Sequence, residues 1–287
     1  MQKSIALSLV VLLMGGIYIS AQEATSNSLI LPSKKKGSNS EFKAINIPFK
    51  KYGLSFGNSS EFNGIRINLA DKDIKRINGL NVTFWARKLK YWSDNAQMQK
   101  SIVNGISTGI IPTCGTMNGI NSGVLRIVAM KEMNGLSVSG FNLYSQGNIS
   151  GVSFSGLITQ CDIFSGVLVS GIAGAGTGGI NGLAIGGLTV SSDRSDINGV
   201  AATLGVLYCG NDFNGAGISG LYLKSKIFRG VSFAGYSDSY EMFGLSVALF
   251  NRTRELHGMQ IGLLNYAGNN RKGLRYLPLI NMHLRKN

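Results

Sequence analysis

Apolar residues in this chain recur as pairs separated by one position, and each pair follows a small-residue step, Asn-Gly or a variant of it. With the glycine of that step as anchor, the units begin at Gly64, Gly79, Gly105, Gly119, Gly135, Gly151, Gly166, Gly182, Gly199, Gly215, Gly230, Gly244, Gly258 and Gly273. That makes 14 units, and twelve of the thirteen intervals are 14 to 17 residues long. The exception is the 26-residue interval from Gly79 to Gly105, which holds an insertion. The residue after the anchor is apolar in every unit, from Ile65 to Leu274. A second apolar residue stands two further on in most units, as in Ile67, Val82, Val138 and Phe154. The residue two before the anchor is apolar in all but the last unit, which has Arg271. Asn precedes the anchor at Asn63, Asn78, Asn104, Asn118, Asn134, Asn181, Asn198 and Asn214; Ser150 and Ser165 replace it twice, and the last four units have Arg229, Phe243, His257 and Lys272.

Apolar-x-apolar predicts a strand with one buried face, so the pair after each anchor is expected to point inward. Asn-Gly tolerates positive φ and predicts a sharp change of direction at each of these eight Asn-Gly steps. A second glycine follows five residues on in Gly140, Gly156, Gly171, Gly187, Gly220 and Gly235, and an apolar residue comes next, as in Phe141 or Leu157. This shift of the inward phase by one suits a corner or bulge, not a flat strand. A unit with two short strand pieces cannot bury a core alone, but stacked copies about 4.8 Å apart can. Asn amides would then ladder along one corner. The reading is an all-β fold, a β-solenoid of about 14 coils, a rod of roughly 65 Å. The alternative is an outer-membrane antiparallel β-barrel with one strand per unit, since Asn-Gly is also a hairpin signal. Against it stand the head-to-tail repeat, the lack of alternating short and long turns and aromatic girdles, and the charged ending "MHLRKN".

Composition places this repeat outside the cytoplasm. Residues 1–21 carry Lys3, an apolar run and the small-residue ending Ser20-Ala21, the layout of a signal peptide cleaved after Ala21. An uncleaved anchor helix is the rival; the apolar run is short for a span of about 20 residues and is broken by Gly15-Gly16. Residues 22–51 form a polar, basic segment or cap, and residues 52–287 the repeat domain, with an insertion at 85–103 and a C-terminal cap at 258–287. Cys114, Cys161 and Cys209 sit nine, ten and ten residues after their anchors and three coils apart. Three coils span about 14 Å, beyond the roughly 7 Å reach of a disulfide, so all three are expected to be free. The formal charge of +14 collects near both ends. It suits anionic envelope components, while export argues against nucleic acid as a partner.

Candidate chemistry is thin. The Gly174, Gly176 and Gly179 spelling of G-x-G-x-x-G lacks the following helix and acidic residue of a dinucleotide site, and no cofactor is expected. His257 and His283 are the only histidines, no C-x-x-C or paired-His metal spacing occurs, and no nucleophile elbow is present. Asp193 with Asp196, Asp238 with Glu241, and the separate Asp162 and Asp212 are the carboxylates that a polysaccharide-active enzyme would need at about 5 to 9 Å separation. The insertion is the best recognition candidate: Trp85, Arg87, Lys88, Lys90, Tyr91 and Trp92 interleave cations with aromatic rings, which suits glycans.

The stretch "HGMQIGLLNYAGNNRKGL" from His257 to Leu274, the following "LPLIN", and the variants "NGLSVSGF" and "RGVSFAGY" resemble the N-G-φ-Q-φ-G-φ-φ-N unit of bacterial secreted surface-repeat proteins. The likeness covers roughly residues 52–287. It implies an exported repeat protein of a Gram-negative cell envelope and brings no catalytic residues. The chain departs from that pattern in its shorter units and in losing Asn before the last four anchors. The expected function is therefore non-enzymatic, adhesive or structural or glycan-binding, at the cell surface, outer membrane or periplasm. A polysaccharide-active enzyme and an outer-membrane barrel are the alternatives.

Overall fold

A computed structural model describes residues 44–49, 51–71, 73–85 and 98–284. All of them lie in one compact unit, residues 42–287. The strands are β1 (Ile45–Phe49), β2 (Tyr52–Phe56), β3 (Glu61–Ala70), β4 (Arg76–Trp85), β5 (Ile102–Gly109), β6 (Thr113–Gly123), β7 (Arg126–Ser139) and β8 (Asn142–Ser145). They continue as β9 (Asn148–Ser155), β10 (Ile158–Ser170), β11 (Ala173–Gly186), β12 (Thr189–Ser192), β13 (Ile197–Thr203), β14 (Val206–Cys209), β15 (Asp212–Ala267) and β16 (Tyr276–His283). Among the described residues no helix is long and apolar enough to cross a membrane.

The pairing is that of a β-solenoid. β2, β3, β4, β5, β6, β7, β9, β10, β11, β13 and β15 follow one another in parallel, and every step sets anchor glycine against anchor glycine, beginning with Gly53 against Gly64. A second parallel ladder joins β7, β8, β10, β11, β12, β14 and β15. Neighbouring units of a barrel would run antiparallel; here only the two end strands do, β1 on β2 and β16 on β15. The coil count differs from the expected 14. The stacked coils form a solenoid of about 9 turns, and from Asp212 the chain runs on as one 56-residue strand. Gly215, Gly230, Gly244 and Gly258 still stack within that strand. Gly273 does not join the column: it lies in the 3-10 turn Lys272–Leu274 with nothing within 4 Å of a Cβ placed on it.

The anchor position requires glycine for two independent reasons. Its φ is positive in every coil, for example +108° at Gly135 and +114° at Gly151. A Cβ there would lie between 1.9 Å (Gly215) and 2.4 Å (Gly105) from the carbonyl oxygen of the glycine one coil below. The glycine five residues later stacks as tightly, Gly156 on the Gly140 oxygen and Gly171 on the Gly156 oxygen, each 1.9 Å from a notional Cβ. This is the expected corner.

The inward phase is opposite to expectation. Ile65, Ile106, Leu136 and Val152 after the anchor, and Val138 and Phe154 two further on, are exposed, as are Phe141 and Leu157 after the second glycine. The core instead holds the residue two before each anchor, from Phe62 and Ile77 through Met117, Phe164 and Phe213 to Leu256, against Ile127, Leu143, Val190, Leu207 and Leu223 eight after their anchors. These fill a narrow coil. A Cβ on Gly217, two after its anchor, would lie 2.8 Å from Leu223, 3.3 Å from Leu207 and 3.4 Å from Phe213. Most units carry a small residue there (Ser137, Ser153, Ala184, Ala201), and the larger Arg66, Asn81, Asn121, Leu168 and Gln260 at the same position are buried as well, so strand alternation sends the apolar pair outward. Serines four after the anchor serve the corners: Ser139 donates to the Asn142 and Leu125 carbonyls at 2.9 and 3.1 Å, and Ser219 to those of Tyr222 and Gly205 at 2.8 and 2.7 Å.

Candidate functional site

Three groups of side chains stand out from the coil. The first is the column before the anchors. Asn78 donates to Asn63 at 2.6 Å, Asn104 to Asn78 at 2.8 Å, Asn118 to Asn104 at 2.8 Å and Asn134 to Asn118 at 2.9 Å. After Ser150 and Ser165 the amide ladder resumes with Asn181, Asn198 and Asn214 at 3.0 and 2.8 Å. Arg229 then donates to Asn214 at 3.3 Å and to Asp212 at 2.7 Å, and its guanidinium lies over the Phe243 ring. His257 stacks on Phe243 at 4.7 Å, and His283 meets His257 edge-on at 6.3 Å. His283 is further tied to Asn270 at 2.6 Å. Both histidines therefore continue a stack that amides begin, each coil using whatever group packs at the 4.8 Å repeat.

The second group is buried and charged. Arg66, 0% exposed, donates through Nη1 to Asp71 Oδ1 at 2.8 Å, and Asp71 is 3% exposed. Arg66 also reaches Asn81 at 2.7 Å and Asn58 at 3.2 Å, while Asn68, Asn81 and Thr83 donate to Asp71 at 3.0, 3.1 and 2.8 Å. Sequence reading missed this cluster. Its one visible signal is a charged residue, Arg66, at a position where most later units carry Ser, Ala or Gly.

The third group is the outward face. From the unit of Gly64 to that of Gly258, the positions one, three, five and six after the anchor carry no charged residue. Only Thr108 and Ser122 are polar there, apart from the indole and phenol tips of Trp85 and Tyr236. These residues stand in aligned columns; Leu136, Val152, Val167, Leu183 and Val200 are successive register partners. Phe154 is 41% and Leu221 67% exposed. Strand spacings make the face roughly 58 Å long and about 17 Å along the chain contour, which bends at the second glycine, about 1,000 Å² in all, where a soluble monomer tolerates a few hundred. Covering it entirely would stabilise by about 25 kcal/mol before ordering costs. Near the C-terminal end the face opens into a shallow groove of about 610 Å³ lined by Phe233, Val247, Leu249, Ile261, Leu279 and Ile280. Leu279 holds a positive φ of 65°, rare for a non-glycine residue.

The sequence-chosen residues are dispersed among these features. Trp85 ends β4 and is exposed; Arg87, Lys88, Lys90, Tyr91 and Trp92 lie outside the described residues. Ile102 and Val103, at the far end of the insertion, open β5. Each of four candidate carboxylates is engaged by a stacking neighbour: Asp196 by Asn211 at 2.6 Å, Asp212 by Arg229, Asp162 by Thr177 at 3.1 Å and Asp238 by Tyr222 at 3.4 Å. Burial, reinforced by the Asp238 charge, holds the Tyr222 phenol above its ordinary pKa. Tyr222 stacks on Tyr236, Lys224 lies over Tyr208, and Tyr266 packs on Tyr276. Gly174, Gly176 and Gly179 all lie in β11, with no helix behind them. Cys114, Cys161 and Cys209 are free and buried, and burial pushes their thiols up to about 12, 12 and 11. Among the described residues no three His, Cys, Asp or Glu side chains group as metal ligands. Compared with known families, curated proteins and solved structures, the chain matches none.

Proposed function

We propose that this chain is a non-enzymatic, exported repeat protein of a bacterial cell envelope, structural or adhesive in role, which works by holding its apolar face against another surface. The observation that carries this reading is the uncharged outward face that runs coil after coil along the solenoid. An exposed apolar area of that size marks an interaction surface, and each coil extends it without a specific pocket. The signal-like residues 1–21 and the +14 charge fit an exported protein that meets anionic envelope material.

A glycan-binding role on the same scaffold is favoured by the second ladder near its C-terminal end. There Tyr208, Tyr222, Tyr236 and Tyr266 alternate with Lys224, Asp238 and Arg252, presenting ring faces beside hydrogen-bonding groups.

The test is made in the native cell. An epitope-tagged chain is fractionated and exposed to external protease, and a deletion strain is scored for attachment and envelope integrity. Envelope location with an attachment or integrity defect is the expected outcome. A cytosolic chain that retains residues 1–21, or a deletion whose sole defect is loss of a polysaccharide-cleaving activity, contradicts the proposal.

A further inference from the structure

We infer that the occupant of the apolar face is the acyl-chain region of a phospholipid leaflet, so that the solenoid lies along a membrane surface with that face immersed. The inference rests on the face assigned above as the working surface and names its partner. Four features lead to lipid.

The outward columns contain no charged side chain, and their strands are paired on both edges by neighbouring coils, so the face presents side chains instead of bare backbone amides. Hydrocarbon tolerates such a surface because the backbone groups beneath it are paired. The alternation is apolar outside and Ser or Asn inside (Leu136, Val138 against Ser137, Ser139), the arrangement of lipid-facing strands.

Charge is kept off this face: Lys224, Asp238 and Arg252 lie in the second ladder. Lys131, Glu132, Asp193, Arg194, Lys226, Arg254 and Glu255 all fall in the stretch between the second strand and the next anchor. The cross-section is thus amphipathic about the solenoid axis, as in helices that lie in a membrane interface. The net charge of +14, collected near the two ends of the chain, complements anionic headgroups there.

A second copy of the chain would be a poorer occupant. Protein interfaces carry about one hydrogen bond per 100–200 Å² to set register, and on about 1,000 Å² this face offers little beyond Thr108 and Ser122. A fluid apolar phase needs no register. It also conforms to the groove beside Phe233 and Leu279, which a flat protein face would leave empty.

The test uses the full chain, purified in detergent and diluted into vesicles of phosphatidylcholine alone or with phosphatidylglycerol, followed by flotation. The wild type is expected to float with both and more strongly with the anionic mixture. Val152→Glu, Phe154→Glu and Leu157→Glu combined should lower the partition coefficient at least about tenfold, whereas Arg194→Glu should still float. Circular dichroism identifies misfolding. A second measurement does not depend on the charged variants: a fluorophore on Phe154→Cys should be quenched by nitroxides in the acyl chains, and one on Arg194→Cys should not. The native thiols are buried and stay unlabelled.

Absence of flotation at either composition overturns the inference. Flotation abolished by salt but indifferent to the triple variant also overturns it, since charge alone would then be binding. A lipid-free dimer that the triple variant dissociates overturns it in favour of a second copy. These failures leave intact an envelope location and attachment role, which are read separately in cells.

Discussion

Removing Asp71 perturbs the one fully buried ion pair among the described residues. The Arg66 guanidinium has no exposed surface, and Asp71 is its counter-ion at 2.8 Å. Asp71→Ala would leave a cation in the interior beside Asn81 and Asn58 oxygens, and would strip the carboxylate acceptor from Asn68, Asn81 and Thr83. Breaking a buried pair from one side costs about 3–5 kcal/mol, and each orphaned donor adds roughly 1 kcal/mol where it finds no other acceptor. About 4 kcal/mol is therefore the expected loss. In a stacked-repeat protein it falls on the coils around the defect, because stability is a sum of neighbour terms. The assay is hydrogen exchange by mass spectrometry, comparing peptides from β3 and β4 with peptides from β13. At about 1.4 kcal/mol per factor of ten, β3 and β4 should exchange roughly 10³-fold faster while β13 is unchanged. Arg66→Met combined with Asp71→Ala removes both charges and should recover at least about 2 kcal/mol of the loss. If the single variant exchanges like wild type, or the double variant is worse than the single, the pair is not holding these coils together.

Other consequences follow from the same stacking. Gly151→Ala places a Cβ 2.2 Å from the Gly135 oxygen at a φ of +114°, and should destabilise by at least about 3 kcal/mol in denaturant titration, against under 1 kcal/mol for Ser153→Ala two residues away, whose hydroxyl has no partner. Asn118→Ala interrupts part-buried amide bonds on both sides and should cost about 1–2 kcal/mol by the same measurement, more than Asn214→Ala, whose bonds to Asn198 and Arg229 are exposed to water. The three thiols should resist a disulfide reagent at pH 8 in the native chain and react fully in guanidinium. Burial holds their native pKa values above the ordinary thiol value of about 9, so their contribution to stability is complete below about pH 9 and is lost as pH rises toward 12. Stability of the wild type should therefore fall more steeply over that window than in a variant with all three replaced by Ala.

The repeat was legible because its cause is local and recurs: a glycine wherever one coil's backbone touches the next, and an amide wherever a corner can ladder. Asn78, Asn104 and Asn118 stack as the spacing predicts, and the cysteines are unpaired for the reason their separation supplies. The direction of the apolar pair was not legible. Alternation defines two faces without naming the inner one, and the deciding quantity is the coil's inner width, set by Phe213, Leu207 and Leu223 arriving from other parts of the unit. The Arg66–Asp71 pair escaped because Asp71 stands in a connecting segment between β3 and β4, off the repeat register. Gly273 satisfied the spacing but belongs to the turn that reverses the chain into β16. The recognition residues from Arg87 to Trp92 fall where the structure describes nothing, whereas the apolar face was hidden inside positions assigned to the core.

Parallel stacking of coils along an axis is tested most directly by pulsed electron resonance between spin labels in one outward column. Ile106→Cys is paired in turn with Leu183→Cys, Val200→Cys and Val231→Cys, five, six and eight coils away along the glycine column. At about 4.8 Å per coil the expected separations are roughly 24, 29 and 38 Å, rising in proportion to coil number. Distances that level off or shorten from the second pair to the third would mean that the units close around a wall, and would contradict the solenoid.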